Sequence, residues 1–536
     1  MRPLRSPGRE SNFSIFAESQ VLEIACEGNC RWHSRPFSNR SPWQVTQAIE
    51  SSPRSLLRVD TSFGLLLVLL LAVLALRVAG LAVSHAELFF DEAQYWAWAQ
   101  DPAFGYYTKP PLIAWLIGAS TALCGDSPAC IRLPAPLMHF ATALLVYATA
   151  ARLFDRRVAF WSSLIYAIMP GTSISATLIS TDVPLLFFWT LGLLAIVLHV
   201  ERPSLAAGAL LGVAVGLGLN AKYAMAFLLG CFFLYALFTR EARALLKQPG
   251  TWLAVAIAAL LIAPNVWWNM EHSFATFTHT RDNAGAWGSR FPNVLGVFEF
   301  IGIQAAIIGP VPFAGFVLVL LGAGGKLAAG PKRLLLFHSL PVFLAIVGQA
   351  LLNKANGNWA ATGFPAAVIL ATAAMLAFDW RRGMIVTLWI SVVALVAVSF
   401  AGALAGTLSS GPAGRELGKM VGWGDLAANI RRIAEANGIR TVVLGERGLT
   451  ASMIYELRDS GLQVKAWRAD PDHPLDHFEL TRPWGAGDAG PVLFVTMGEA
   501  PPPGPLAPRA TRLESFSTQV FIARRAGAVA SAYRID

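Results

Sequence analysis

The chain has 536 residues, 55% of them hydrophobic and only 14% charged, with a net charge of +9. A soluble globular domain carries about a quarter charged residues, so the composition excludes a wholly soluble chain and indicates an integral membrane protein. The positive balance would suggest nucleic acid in a soluble chain, but here it is spread over loops between apolar runs, which makes it a guide to membrane orientation.

Residues 1–60 are polar and rich in Ser and Arg, with no apolar run long enough for a signal sequence. They are expected to form a disordered cytoplasmic extension. Cys26 and Cys30, in CEGNC, lack partner ligands and make a weak metal motif.

Apolar runs long enough to cross the hydrocarbon core, about 20 residues each, follow almost continuously from residue 63 to residue 404. Eleven spans are predicted, starting near residues 63, 131, 158, 183, 204, 223, 251, 293, 334, 359 and 384. The 13-residue piece from Pro111 to Leu123 is short for a crossing and is expected to lie along the interface. With that piece excluded, one set of loops carries twelve basic residues: Arg152, Arg156, Arg157, Arg202, Arg240, Arg243, Lys247, Lys326, Lys332, Arg333, Arg381 and Arg382. The opposite set carries six: Lys109, Arg132, Lys222, Arg281, Arg290 and Lys354. The positive-inside rule places the first set in the cytoplasm, the N-terminus inside and the C-terminus outside. Cys124 and Cys130 then flank an outer loop, GDSPA, where a disulfide is open to either outcome; Cys231 falls mid-span as packing.

Residues 61–404 thus form a polytopic α-helical domain, and residues 405–536 a small extracytoplasmic α/β domain. In the latter, GWGDLAANIRRIAEANGI and TASMIYELRDSG have helical spacing, while TVVLGE, QVKAWRA and PVLFVTM read as strands. No phosphate-cradling glycine motif opens its helices, so no nucleotide is assigned.

The outer loops hold the chemistry. FFDEAQYWAWAQDPAFGYYTKPPLIAWL, residues 89–116, places Asp91 and Glu92 just beyond the first span, at the start of an amphipathic surface helix. Acids there also favour a helix N-terminus, and Asp182, in LISTDVPLLFFW, could likewise cap the helix that follows. Lys109, braced by Pro110 and Pro111, and Lys222, in LNAKYAM, supply compact positive charge, and Tyr106 and Tyr107 supply phenolic donors. Carboxylates, cations and phenols at one membrane surface suit a lipid-anchored phosphate donor and an acceptor that must lose a proton. Arg281 is a further phosphate candidate through its guanidinium fork. Glu271, His272, Lys354 and Asn356 could line the same cavity. The spacing of His272 and His279 matches no strong metal pattern, which leaves a divalent cation open.

The ordered set DEAQYW, GYYTKPPLIAWL, RLPAPL, TDVPLLFFW, LNAKYAM and NGNWAATGFPAA, over residues 85–370, resembles the GT-C membrane glycosyltransferases, which include the aminoarabinose transferases of lipid A and the protein O-mannosyltransferases. The resemblance implies a bacterial inner-membrane enzyme that moves a sugar from a polyprenyl phosphate to a glycolipid or protein acceptor on the periplasmic side. By that resemblance Asp91, with Glu92 beside it, is the catalytic carboxylate and Asp182 the second-loop acid. Lys109, with Tyr106, and Lys222 contact the donor phosphate. The wording departs from the aminoarabinose transferases after the seventh span and at NGNWAATGFP, so the sugar and the acceptor stay open.

The rival reading is a transporter or flippase of lipid-linked sugars, which would place its ionisable groups near the bilayer midplane. Arg77 inside the first span, and Gln304 with Gly309 and Pro310 inside the eighth, are exceptions that keep this reading open, against a cluster of charged candidates at one surface. A structural scaffold would need the outer acids to act as helix caps alone.

Overall fold

The computed structural model describes residues 60–284, 291–407, 411–485, 487–488, 490–520 and 529–536. The extension expected over residues 1–60, apart from Asp60, lies outside the described residues, as does Arg290.

Among the described residues, seven helices are long and apolar enough to cross a membrane: Phe63–Ala82, Pro128–Leu153, Asp182–Glu201, Pro249–Glu271, Ala329–Leu352, Gly357–Ala377 and Arg381–Leu404. The other four expected spans take different forms. Leu205–Ala221 and Tyr223–Phe238 are shorter apolar helices. Arg156–Ile168 stops at Met169 because Pro170 opens a new helix, Pro170–Ser175. The span expected near residue 293 is bent by 116° between Val294–Ile308 and Pro310–Leu320. Gly309 sits at that bend with φ +94°, a backbone state natural to glycine, and Pro310 cannot continue the preceding helix. The piece excluded as a span is a 13-residue helix, Leu112–Cys124.

Helix boundaries follow local chemistry. Ser62 accepts the Leu65 N–H at 3.2 Å to start the first span, and Asp155 accepts that of Val158 at 2.8 Å. Helices Leu205–Ala221 and Pro249–Glu271 pack through small residues, and a Cβ added at Gly208 would fall 2.0 Å from the Gly250 carbonyl oxygen. Such close approach drives helix association in lipid, where apolar burial gives no advantage.

The loops segregate to two ends. Helices such as Pro134–Leu153 and Asp182–Glu201, 20 residues each, are about 30 Å long. At one end Arg152 pairs with Glu201 and Arg333 with Glu241. At the other end Glu92 meets Arg132, and Asp182 meets Lys222.

Over the second end lies a six-stranded sheet with strands β1 (Thr441–Leu444), β2 (Gln463–Trp467), β3 (Pro483–Trp484), β4 (Val492–Met497), β5 (Ala510–Ser517) and β6 (Val529–Ile535). Its order is β3-β2-β1-β4-β6-β5. β1, β2, β3 and β4 pair in parallel, and β6 lies antiparallel between β4 and β5. The central strands read as unbroken apolar runs, as expected for parallel strands covered on both faces.

The sheet domain is anchored by its helices. Trp423–Ala436 has Gly422 at its start and no capping side chain of its own. Glu87, from the segment after the first span, caps it instead, accepting the N–H groups of Trp423 at 2.7 Å and Gly424 at 3.0 Å. The helix Arg447–Glu456 packs on Phe90–Ala99, with Tyr455 edge-on to Trp96 at 5.0 Å. Cys124 and Cys130 form a disulfide, and the Asp126 carbonyl between them accepts the Tyr455 hydroxyl at 2.7 Å.

Candidate active site

Asp91 and Glu92 are adjacent on the first turn of Phe90–Ala99, so the helix aims them about 100° apart. Glu92 turns inward and is 1% exposed. Its Oε1 accepts the Ile179 N–H at 2.9 Å, and its Oε2 accepts the Phe89 N–H at 3.0 Å and Arg132 Nη2 at 2.7 Å. Arg132 Nε completes a two-pronged pair, while its Nη1 and Nη2 also donate to the carbonyls of Ala86 and Glu87. This engagement leaves Glu92 no oxygen for a substrate, in place of the catalytic part expected for it beside Asp91. It ties three segments together at this end of the membrane domain.

Asp91 turns outward, about a third exposed, and its Oδ1 accepts Arg447 Nη1 at 3.1 Å. Arg447 comes from the sheet domain. The same Nη1 donates to Gln94 Oε1 at 2.8 Å, and the guanidinium lies over the Phe90 ring. Gln94 Nε2 reaches Thr108 Oγ1 at 3.5 Å, which links this corner to the residue before Lys109.

Asp182 is the first residue of its helix. Its Oδ1 accepts Lys222 Nζ at 2.7 Å and its Oδ2 accepts Asn358 Nδ2 at 2.7 Å. Lys222 can reach it because the chain there is extended, at φ −163° and ψ 136°, between Leu205–Ala221 and the tight turn Tyr223–Met225. The neighbouring Tyr223 is pinned by its hydroxyl bond to Asn265 at 2.7 Å and by stacking on Phe277.

Lys109 is half-buried, and its ammonium makes no hydrogen bond or ion pair among the described residues. Burial holds its pKa below the usual lysine value; the Lys222 charge adds to that lowering, Asp91 and Asp182 oppose it, and Arg447 reinforces it. Lys109 therefore feels both aspartates, Lys222 and Arg447, which stand as the pairs Lys222–Asp182 and Arg447–Asp91.

The two tyrosines part company. Tyr106 is fully buried and stacks on Trp98 at 4.6 Å. Its hydroxyl donates to the Trp98 carbonyl at 2.9 Å and accepts the Ala103 N–H at 3.1 Å, so it braces the loop instead of offering the expected phosphate contact. Tyr107 donates to the Pro474 carbonyl of the sheet domain at 2.8 Å.

The remaining candidates are Glu271, His272, Arg281, Lys354 and Asn356. Glu271 is exposed and accepts Trp267 Nε1 at 2.8 Å, and His272 stacks on Trp268 with Nδ1 2.7 Å from that residue's carbonyl oxygen. Arg281 is exposed on the helix Ala275–Ala284, whose Thr276 hydroxyl donates to the Tyr106 carbonyl. Lys354 and Asn356 are exposed; the residue of that motif that touches the site is Asn358. Among the described residues no three His, Cys, Asp or Glu side chains stand together as a metal site. Each aspartate already carries a cationic partner, a donor set that does not suit a divalent ion.

Sequence reasoning overlooks Arg447, Gln94 and Asn358, and treats Arg132 only as an outer basic residue. Asn358 and Arg132 stand inside the motifs NGNWAATGFP and RLPAPL. Gln94 stands in DEAQYW, three residues beyond Asp91.

Residues 108–268 match the family described as Dolichyl-phosphate-mannose-protein mannosyltransferase. The solved structure of ArnT from Cupriavidus metallidurans bound to undecaprenyl phosphate aligns over 88% of this chain and 98% of its own, at 16% identity and a TM-score of 0.62. That likeness shows the fold. A multi-pass membrane domain of this fold carries a charged site at one end, with the sheet domain packed over it. The lipid A galacturonosyltransferase RgtD of Rhizobium johnstonii is 33% identical over 83% of this chain and 92% of its own length. The chain belongs to that family of GT-C glycosyltransferases. The lipopolysaccharide core galacturonosyltransferase RgtB of the same organism is 27% identical over 52% of this chain and 59% of its own.

Proposed function

We propose that this glycosyltransferase moves a uronic-acid sugar from a polyprenyl phosphate to a hydroxyl of a lipopolysaccharide-type glycolipid. The reaction takes place on the periplasmic face of the inner membrane, with the N-terminus cytoplasmic and residues 405–536 outside. The RgtD likeness along nearly its whole length supports the sugar and the acceptor. The observation that carries the chemistry is the grouping of Asp91, Asp182, Lys109 and Lys222 in one electrostatic neighbourhood at one end of the membrane domain.

In this reading the acceptor hydroxyl attacks the anomeric carbon as the bond from that carbon to the phosphate oxygen breaks. The bonding pair leaves with the polyprenyl phosphate, and the hydroxyl proton passes to Asp91. A positioned base of this kind contributes about a hundred- to ten-thousand-fold. Lys109 and Lys222 face the charge developing on the phosphate, with Arg281 a third candidate. Phosphate leaves as a stable anion, so no second protonated acid is needed, unlike glycoside hydrolysis. Asp182 holds Lys222 and Asn358 in place. Glu92 and Tyr106 shape the loops and touch no substrate.

The test is mass spectrometry of envelope glycolipids from cells lacking the gene and from cells carrying wild type or Asp91→Asn. The deletion should remove a uronic-acid addition that wild type restores and Asp91→Asn does not. A glycolipid profile unchanged by the deletion would defeat the reading.

A further inference from the structure

Two arginines flank the acid pair, and their bonding differs. Arg132 spends its Nε and Nη2 edge on Glu92 as a two-pronged pair. Arg447 meets Asp91 and Gln94 through Nη1 alone, and its Nε and Nη2 make no hydrogen bond among the described residues. That edge is the one whose two parallel N–H groups match a carboxylate. The side chain is 35% exposed, whereas that of Arg132 is 2% exposed. Its Nη1 bonds and the Phe90 ring beneath it fix the guanidinium plane without using the fork.

We propose that Arg447 is a specificity-determining residue whose free fork binds the carboxylate of the transferred uronic-acid sugar. This rests on the uronosyl reading above and adds the residue that enforces it. If Asp91 takes the acceptor proton, the anomeric carbon must sit beside it, and the exocyclic carboxylate of a pyranose lies one ring's width from that carbon. Arg447 Nη1, 3.1 Å from Asp91 Oδ1, sets the guanidinium next to the carboxylate that would take that proton. The lysines at Asp182 and at the Lys109 turn remain for the phosphate. A neutral hexose offers the fork no anion and forgoes the charge-assisted two-pronged pair, which favours the uronosyl donor. Because the sheet domain supplies Arg447, the part of the chain outside the membrane selects the sugar while the membrane domain supplies the reaction.

The experiment uses full-length enzyme in proteoliposomes with two synthetic polyprenyl-phosphate donors, one uronosyl and one the matching neutral hexosyl, and one glycolipid acceptor. Wild type should favour the uronosyl donor in kcat/KM. Arg447→Gln should cut the ratio of uronosyl to hexosyl kcat/KM by about tenfold to a hundredfold, the range for losing a charge-assisted hydrogen bond. Arg447→Lys keeps the charge without the fork and should also lower the ratio; it carries the test if the Gln variant does not fold. Equal slowing with both donors would overturn the proposal, because it assigns Arg447 only to holding Asp91, and transfer itself would stand. A loss that follows the acceptor's phosphates, compared on phosphorylated and dephosphorylated acceptor, would overturn it as well. Wild type that uses neither donor, or prefers the neutral one, would instead sink the uronosyl reading beneath it.

Discussion

Lys222 Nζ lies 2.7 Å from Asp182 Oδ1, joining the ends of two helices 40 residues apart in sequence. The pair is partly buried, with side chains 21% and 12% exposed, so its charges are only partly screened by water. Lys222→Gln should cost about 1–3 kcal/mol of stability by leaving Asp182 with one partner, and should slow transfer by about a hundredfold or more by removing a cation from the leaving phosphate. Adding Asp182→Asn should restore much of the melting temperature, since both charges are then gone. It should not restore turnover. Recovery of both would make the pair structural alone.

The adjacent acids Asp91 and Glu92 should fail in different ways. Glu92→Gln leaves Arg132 charged and buried opposite a neutral amide, the situation that costs about 3–5 kcal/mol. The protein should be poorly expressed or should melt early in detergent. Asp91→Asn removes a pair about a third exposed, worth about 1 kcal/mol or less, so the protein should melt near wild type while transfer falls by at least about a hundredfold. Melting curves and donor turnover measured on both variants separate the roles. A stable, inactive Glu92→Gln would return Glu92 to the reaction.

Asp91, Asp182, Lys109 and Lys222 are legible as candidates in the sequence because acids and lysines recur at the same set of span ends, although either acid could serve as a helix cap alone. Arg447 is not legible. It lies 356 residues from Asp91, in a polar stretch where an arginine is ordinary, and only the docking of one domain on another gives it a role. Tyr106 and Tyr107 show the same limit on a smaller scale. Neighbouring residues in a loop point to opposite sides, and which side is buried depends on Trp98, whose ring no local pattern ties to Tyr106. The helical class and the strand-bearing tail follow from hydropathy and alternation. The breaks at Met169 and Gly309 do not, because hydropathy registers apolar length and not the bend within it.

The disulfide between Cys124 and Cys130 should matter through the loop it closes. Asp126, inside that loop, accepts Trp96 Nε1 through Oδ1 and the Tyr455 hydroxyl through its carbonyl, each at 2.7 Å. Closing so short a loop restricts the unfolded chain by an amount worth about 2 kcal/mol. Cys124→Ser, or a reductant, should lower the melting temperature and raise protease access to the sheet domain, read by limited proteolysis. No change in either would mean the loop is held without the bond.

Stability should also depend on pH through the seam where Glu87 and Glu456 face each other across Gly424. Burial first, then the charge of Glu87, pushes the Glu456 carboxyl up to about 7, against the opposing pull of Arg458. Burial likewise raises Glu87, although the N–H groups it caps pull the other way. A carboxyl raised on folding makes the folded state bind more protons than the unfolded one, so its stabilising contribution is whole below the unfolded value near 4.5 and is lost as pH climbs through about 7. The full shift would be worth more than 3 kcal/mol, but solvent reaching Glu456 reduces the expected loss to about 1–2 kcal/mol between pH 5 and pH 8. Glu456→Gln keeps the shape and removes the charge. Its melting temperature should exceed that of wild type at pH 8 and match it at pH 5. A wild-type protein that melts at the same temperature at both values, or higher at pH 8, would show that the two carboxylates do not oppose each other across this seam.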